Sequence, residues 1–436
     1  MGAVLCVDVG STFTKALLVG DGGEVLGRAS HPTTVGSDVM DGVDAVRAEL
    51  GEAGTPGRVV ACSSAGGGLR LAVVGYEREV TAEAGFRVGL SAGARVVHVA
   101  SGPLAGPDVG ALRAACPDVV LLVGGTDGGN ADVLVHNAHR LARARLAAPV
   151  VVAGNRDAAG AVREELAATG RRHVLAANVL PQIGRVEPGG ARAAIREVFL
   201  RHVIGGKGLS RGRGFAELVA AATPDAVLRG VELLAEVLGR DVLGVDVGGA
   251  TTDVYSVLHP QGEDAALRRE VVGTMWHART VEADLGMRWS AQGVVEAAGR
   301  EGLALAPGVA EHAARMAGDP AHVSRGATQW AAEEALATAA VTVAVRRHGR
   351  PGPGERARPL ADVGLLVGSG GVLRHAPDGV ADRVLGAALA DHAGGWRVPH
   401  EADVVLDRDY VLFAAGLLAE ADPPRARALV TTLAAG

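Results

Sequence analysis

Two stretches of the chain set a carboxylate where an apolar run gives way to a glycine turn. In Asp8-Val9-Gly10-Ser11-Thr12 the run is residues 3–9 (AVLCVDV), and Gly10 and two hydroxyls follow it. Backbone amides freed by such a turn can cradle phosphate, and the carboxylate can hold the water shell of Mg²⁺. With 63 glycines among 436 residues, so loose a pattern says little by itself. Asp246-Val247-Gly248-Gly249-Ala250-Thr251-Thr252-Asp253 demands more, because Asp, Gly, Gly, Thr and Asp must all fall into place behind a strand. The two carboxylates lie 238 positions apart (246 minus 8), each closing an apolar run, so two lobes can turn opposed phosphate loops toward one nucleotide.

Further groups gather around these turns. Lys15, on the strand returning from the first turn, brings an ammonium within reach of β- and γ-phosphates, unless it is a solvated strand lysine. Gly368-Ser369-Gly370-Gly371 follows Leu365-Leu366-Val367, where missing side chains let backbone approach a base or ribose; a purely structural turn is the other reading. The expected nucleotide contacts are Gly10, Ser11, Thr12, Thr14 and Lys15 from the first loop and Gly248, Gly249, Thr251, Thr252 and Asp253 from the second. The third loop adds Gly368, Ser369, Gly370 and Gly371. Asp8 and Asp246 are the expected catalytic carboxylates, orienting water on Mg²⁺, with ATP or ADP as the nucleotide. Lys207 is followed by Gly208 rather than Ser or Thr, so no P-loop forms there.

Strands and helices must hold these turns in place. Residues 3–9, 15–19 and 24–30 read as three strands, the last two joined around Asp21-Gly22-Gly23. A helix over 38–50 precedes strands at 58–64, 96–101 and 119–125, and two further strand and helix units reach residue 203, an α/β alternation. The Gly- and Arg-rich segment 204–214 reads as a hinge and 215–238 as helix, after which residues 242–257 repeat the theme of residues 4–19. A helical region from about 280 to 345, a Pro/Gly-rich loop to 359 and a strand at 362–371 follow. The expected division is a first lobe with additional α/β units (1–204), a hinge and helix (205–240) and a second lobe (241–436).

Composition narrows the function. The chain is 48% apolar and 21% charged with a formal net charge of −6, which gives a folded core and no basic field for nucleic acid. The longest uncharged apolar run, about 335–345, is shorter than the roughly 20 residues that span a bilayer. No basic leader precedes Asp8, and Cys6, Cys62 and Cys116 make no C-x-x-C pair, so a cytoplasmic setting without membrane or nucleic-acid partners is expected. The histidines show no metal-binding spacing. Residues 124–130 (GGTDGGN) can meet phosphate or a partner loop, or be a glycine turn, and Glu282 and Asp284 read as surface helix charges rather than water-positioning groups.

The order of phosphate loop, second phosphate loop and adenosine loop resembles the superfamily of actin, Hsp70 and sugar kinases. Residues 246–253 are similar to the Hsp70 version, and the spacing from Asp8 to Lys15 to the actin version. Within it, the chain resembles the glutamate (methylaspartate) mutase accessory proteins of the MutL or GlmL type. Residues 62–70 (CSSAGGGLR), 121–130 (LLVGGTDGGN), 149–158 (PVVVAGNRDA), 191–199 (ARAAIREVF) and 281–291 (VEADLGMRWSA) carry that resemblance, which runs to about residue 420. It implies a two-lobed actin-like ATPase (ribonuclease H-like) α/β fold with inserted α/β elements and a nucleotide cleft between lobes. It further implies an ATP-binding accessory protein, chaperone- or reactivase-like, whose partners are the subunits of an adenosylcobalamin-dependent carbon-skeleton mutase. A small-molecule kinase of the same fold is the alternative, and an actin-like polymer ranks below it. Iron–sulfur activators of acyl-CoA dehydratases share the fold but need cysteine ligands, which three scattered cysteines do not provide.

Overall fold

The computed structural model describes residues 2–51, 56–65, 69–92, 94–183, 185–204, 208–211, 214–259, 277–351, 358–394, 397–399 and 401–434. Lys207, the glycines at 66–68 and part of the Pro/Gly-rich loop lie outside the described residues.

Strands β1 (Val4–Val9), β2 (Phe13–Val19) and β3 (Val25–Pro32) form an antiparallel meander. A helix, Val39–Glu49, starts where the Asp38 carboxylate accepts the Met40 amide and leads to β4 (Arg58–Ser63), parallel to β1. An inserted unit follows, with β5 (Leu69–Gly75), β6 (Ala94–Ser101), β7 (Val119–Leu122), β8 (Val150–Val152) and β9 (His173–Leu175). These pair in parallel in the order β6-β5-β7-β8-β9, a doubly wound arrangement. Helices cover both faces of this sheet, which is why β7 and β8 are unbroken apolar runs rather than alternating ones.

The chain then returns to the first sheet as β10 (Val219–Ala222), parallel to β4, and enters the helix Thr223–Leu238. A second sheet holds β11 (Val242–Val247), β12 (Thr252–Val257), β13 (His277–Glu282), β14 (Leu365–Ser369) and β15 (Asp403–Leu406). Its order, β13-β12-β11-β14-β15, matches β3-β2-β1-β4-β10 strand for strand, a meander followed by two parallel strands. This duplicated topology is the actin-like, ribonuclease H-like α/β fold, with the third sheet inserted between β4 and β10.

Period-two alternation divides each central strand between two cores. In β1, Leu5, Val7 and Val9 face the first lobe's interior, while Val4 and Cys6 face a core common to both sheets. In β11, Leu243, Val245 and Val247 face the second lobe's interior, and Val242 faces the common core. Helices Thr223–Leu238 and Val411–Leu418 fill that common core and cross almost backbone to backbone. A Cβ on Gly230 would lie 2.0 Å from the Leu412 carbonyl oxygen, and one on Gly416 1.8 Å from that of Ala226. Gly416→Ala is therefore expected to pry the helices apart and cost about 2 kcal/mol, read as a lower denaturant midpoint; an unshifted midpoint contradicts this close crossing.

Several elements differ from the sequence reading. The helical region expected from 280 begins as strand, since β13 pairs with β12 through Glu282; the helices Ala291–Arg300, Val309–Gly318 and Gly326–Gly349 come after it. The expected helix 215–238 is interrupted by β10, whose VAAA sequence favours helix but is drawn into the sheet beside β4. β5 and β15 were not anticipated either. Among the described residues, no helix is long and apolar enough to cross a membrane.

Candidate functional site

The alternation that sends Val4 and Cys6 into the common core places Asp8 next on the same face, at the strand's end. Val242, Gly244 and Asp246 do the same in β11, so the two carboxylates end their strands on faces turned toward the other lobe. The turns after them close alike, with the Gly10 amide donating to the Phe13 carbonyl at 3.1 Å and the Gly248 amide to the Thr251 carbonyl at 2.9 Å. They also meet: a Cβ on Gly249 would lie 3.0 Å from Thr12 Oγ1. That hydroxyl is buried without a hydrogen-bond partner. Lys15 pairs across the ladder with Asp8, its Nζ 3.6 Å from Oδ2, and its ammonium senses Asp246 as well.

The third loop closes on the second sheet. Ser369 lies in register beside Asp246, and Gly370, at φ +108°, sits so near β11 that a Cβ would come within 2.3 Å of the Val247 carbonyl oxygen. Gly371 begins the short helix to Arg374, whereas Gly368 packs against Leu385, Leu373 and Leu406. Other expected residues are spent on structure. Thr14 is buried with its hydroxyl 3.2 Å from that of Thr33, and Thr252 donates to the Leu285 carbonyl at 2.6 Å. Asp253 accepts the buried Arg279 Nε at 2.9 Å and the Thr251 hydroxyl at 3.1 Å. Ser11 is exposed at the turn.

Groups that sequence reasoning missed complete the arrangement. Thr223, at the start of its helix, donates to Asp8 Oδ1 at 2.5 Å, and the Cys62 thiol lies 3.6 Å from the same oxygen. Asp407, just past β15, accepts the amides of Val411 and Leu412 at 2.6 and 3.1 Å and so caps the helix Val411–Leu418. Two cations pack on the Tyr410 ring, the Lys15 ammonium 4.3 Å from its centroid and the Arg374 guanidinium at 4.2 Å. Arg374 ends the Gly-rich string and was legible by type; Asp407 and Tyr410 carried no local signal.

Site electrostatics follow from like charges under partial cover. Burial pushes Asp246 up to about 6, and Asp253 and Asp8 add to the rise against Lys15 and Arg279. Burial likewise lifts Asp407 to about 6, over the opposing Leu412 and Val411 amides and with help from Asp246. Burial would strip the Lys15 proton, but Tyr410, Asp8 and Asp246 reverse this and hold the ammonium charged. The Cys62 thiol is pushed well up by burial and by Asp8, which makes it unreactive.

Carboxyls Asp8, Asp246 and Asp407 around one ammonium suit a hard divalent cation, and the orphan Thr12 hydroxyl beside Gly249 suits a phosphate oxygen. Among the described residues, no three His, Cys, Asp or Glu side chains are grouped to ligate a metal ion. Elsewhere, Arg347 Nη1 binds Glu282 at 2.8 Å and Asp284 at 2.7 Å, which makes those carboxylates structural. In the GGTDGGN loop, Asp127 accepts the Arg156 amide and Asn178, Gly128 donates to Asp157, and Asn155 donates to the Gly129 carbonyl. Those bonds stitch together the loops after β7, β8 and β9.

A duplicated ribonuclease H-like core whose Asp-ended hairpins face each other defines a two-lobed protein of the actin-like class. Comparison with known proteins narrows this further. The chain belongs to the MutL protein family, whose family model matches residues 4–433. Protein MutL of Clostridium tetanomorphum is 34% identical over 461 residues, covering 98% of each chain. Solved structures are far more distant. Nucleotide-free acetone carboxylase is 17% identical with a TM-score of 0.33, covering 66% of this chain and 48% of that one, so this chain spans about half its length. Component A of the Acidaminococcus fermentans (R)-2-hydroxyglutaryl-CoA dehydratase is 10% identical over 99% of both chains, with a TM-score of 0.30. The ROK hexokinase of Thermus thermophilus is 15% identical over 100% of both, with a TM-score of 0.27.

Proposed function

We propose that this chain binds Mg-ATP between its lobes and hydrolyses it while serving an adenosylcobalamin-dependent carbon-skeleton mutase, such as glutamate (methylaspartate) mutase, as a chaperone- or reactivase-like accessory protein in the cytoplasm. One observation carries the nucleotide reading: the two hairpin turns approach each other so closely that a Cβ on Gly249 would lie 3.0 Å from Thr12 Oγ1, while Lys15 pairs with Asp8 and senses Asp246. The partner rests on membership of the MutL family and on the resemblance to mutase accessory proteins.

Thr12, Ser11 and the amides from Gly248 to Thr251 would surround the phosphates, and Lys15 would leave the Tyr410 face to neutralise them. Asp8 and Asp246 would orient metal-bound waters, while residues 368–371 meet the adenosine. Mg²⁺ would supply phosphate charge neutralisation. Asp8 touches the first residue of the helix Thr223–Leu238, and Asp407 caps the helix Val411–Leu418, so a change at the phosphates acts on the two helices that join the lobes.

The test is co-purification of the tagged chain with the subunits of such a mutase in ATP, in ADP and without nucleotide, alongside ATP turnover. Retention of the mutase in one nucleotide state and its release in another is the expected result. Equal recovery in all three, or none, sinks the accessory reading. Phosphate transfer to a small acid or sugar in place of water establishes the kinase alternative.

A further inference from the structure

The segment after β13 backs the second hairpin turn residue by residue. Met287 and Arg288 donate their amides to the Gly248 and Gly249 carbonyls at 3.0 and 2.8 Å, and the Ser290 hydroxyl donates to the Ala250 carbonyl at 2.8 Å. Gly286 permits this approach, since a Cβ there would lie 2.4 Å from the Ala250 carbonyl carbon. In a trans peptide the carbonyl and the following N–H point opposite ways, so tying back these three carbonyls turns the amides of Gly249, Ala250 and Thr251 away from the segment.

Arg288 stands where the two turns meet. A Cβ on Gly249 would lie 3.0 Å from Thr12 Oγ1 and 3.5 Å from Arg288 Cγ, so the orphan hydroxyl and the arginine stem flank one point. Its guanidinium is anchored at one corner. Nη1 donates to Glu333 Oε1 at 2.7 Å and to the Met287 carbonyl at 2.9 Å, and Glu333 is buried on the helix Gly326–Gly349. Both bonds use Nη1, and the side chain is 19% exposed, which leaves the edge formed by Nε and Nη2 open. That edge carries two parallel N–H groups, the pair that matches two oxygens of one phosphate.

The sheet order says which phosphate. In β13-β12-β11-β14 the loop 368–371, proposed to meet the adenosine, lies on one side of β11, and the segment that follows β13 lies on the other. A nucleotide with its base beside β14 and its phosphates crossing the end of β11 brings its last phosphate nearest Arg288. We propose that Arg288 binds the terminal phosphate of ATP and so sets a preference for ATP over ADP; this rests on the nucleotide reading above and adds to it a residue from outside the three loops. An ion pair that served only to join the segment to the helix would act alike on both nucleotides.

Calorimetric titration of the full chain with Mg-ADP and with a β,γ-imido analogue of Mg-ATP tests this in wild type, Arg288→Lys, Arg288→Gln and the pair Arg288→Gln/Glu333→Gln. Arg288→Gln is expected to weaken the analogue about tenfold or more while shifting ADP less than about twofold. Arg288→Lys keeps the charge but not the fork and should recover only part of that loss. Arg288→Gln alone strands a buried carboxylate, so its melting midpoint should drop and then rise again in the pair, whereas the lost analogue affinity should persist there. Equal losses for both nucleotides, an unchanged analogue affinity, or affinity that returns with Glu333→Gln overturns the proposal while the nucleotide reading stands. Wild type that binds neither nucleotide sinks that reading, and this inference with it.

Discussion

Asp246→Ala is expected to weaken Mg-nucleotide binding by at least about a hundredfold, near 3 kcal/mol, without unfolding the protein. Asp246 is the carboxyl best placed to face a cation from the second lobe. It ends β11 on the face turned to the other lobe, lies in register with Ser369 of the third loop, and is sensed by Lys15 across the cleft. In the free protein its charge is held at a disadvantage, because burial and the carboxylates of Asp253 and Asp8 all oppose ionisation. Alanine removes that penalty, so the melting midpoint should hold or rise even as binding is lost; Lys15 keeps Asp8 and Tyr410 as partners. Calorimetry with Mg-ATP and a thermal melt on the same sample decide the point, and unchanged affinity removes Asp246 from the site. Asp253 is not a comparable probe, since its loss would strand the buried Arg279 and destabilise the fold for reasons unrelated to nucleotide.

Much of this arrangement could be read from the chain. The repeated apolar run ending in Asp-x-Gly marked both β1 and β11, and the alternation within each run fixed which face its aspartate would take. Two look-alike strands imply two look-alike sheets, and the strand orders agree. What could not be read depends on contacts distant in sequence. Asp407 and Tyr410 reach the cleft because β15 pairs beside β14, and the residues before β15 carry no motif. β10 is a run of alanines behind one valine whose partner, β4, lies about 160 positions earlier, so local propensity pointed to helix and tertiary pairing prevailed. Thr14 and Thr252 were expected at the nucleotide because they are hydroxyls near glycine turns. Each pairs in register with the residue after an aspartate, Val9 and Val247, and so takes the opposite face of its sheet, toward the lobe interior. The period that turns the aspartates toward the other lobe turns both threonines away from it.

Acidification should loosen Mg-nucleotide binding, by about tenfold per pH unit below 6 for each carboxyl that must ionise. Two candidates titrate together: Asp246 and Asp407 are each lifted to about 6, and Asp246 is itself one cause of the Asp407 rise, so the protons leave as a coupled pair. Each folded-state value lies above the ordinary aspartate value of 3.8, so the free fold prefers the protonated form. The stabilisation this gives is complete below about pH 4 and is lost as pH rises through 6. A cation acts in the opposite sense, since it needs the charged carboxylates, and binding should therefore release protons near pH 6. Lys15 stays charged throughout and contributes no slope in this window. Asp407→Asn separates the two carboxyls, because asparagine still caps the helix Val411–Leu418 but no longer titrates. If both protons matter, this variant should halve the steepness of the affinity profile between about pH 5 and pH 6 and halve the protons released, measured by calorimetry in buffers of different ionisation enthalpy. A flat wild-type profile across that interval, with no protons released, would show that neither carboxyl faces the bound cation.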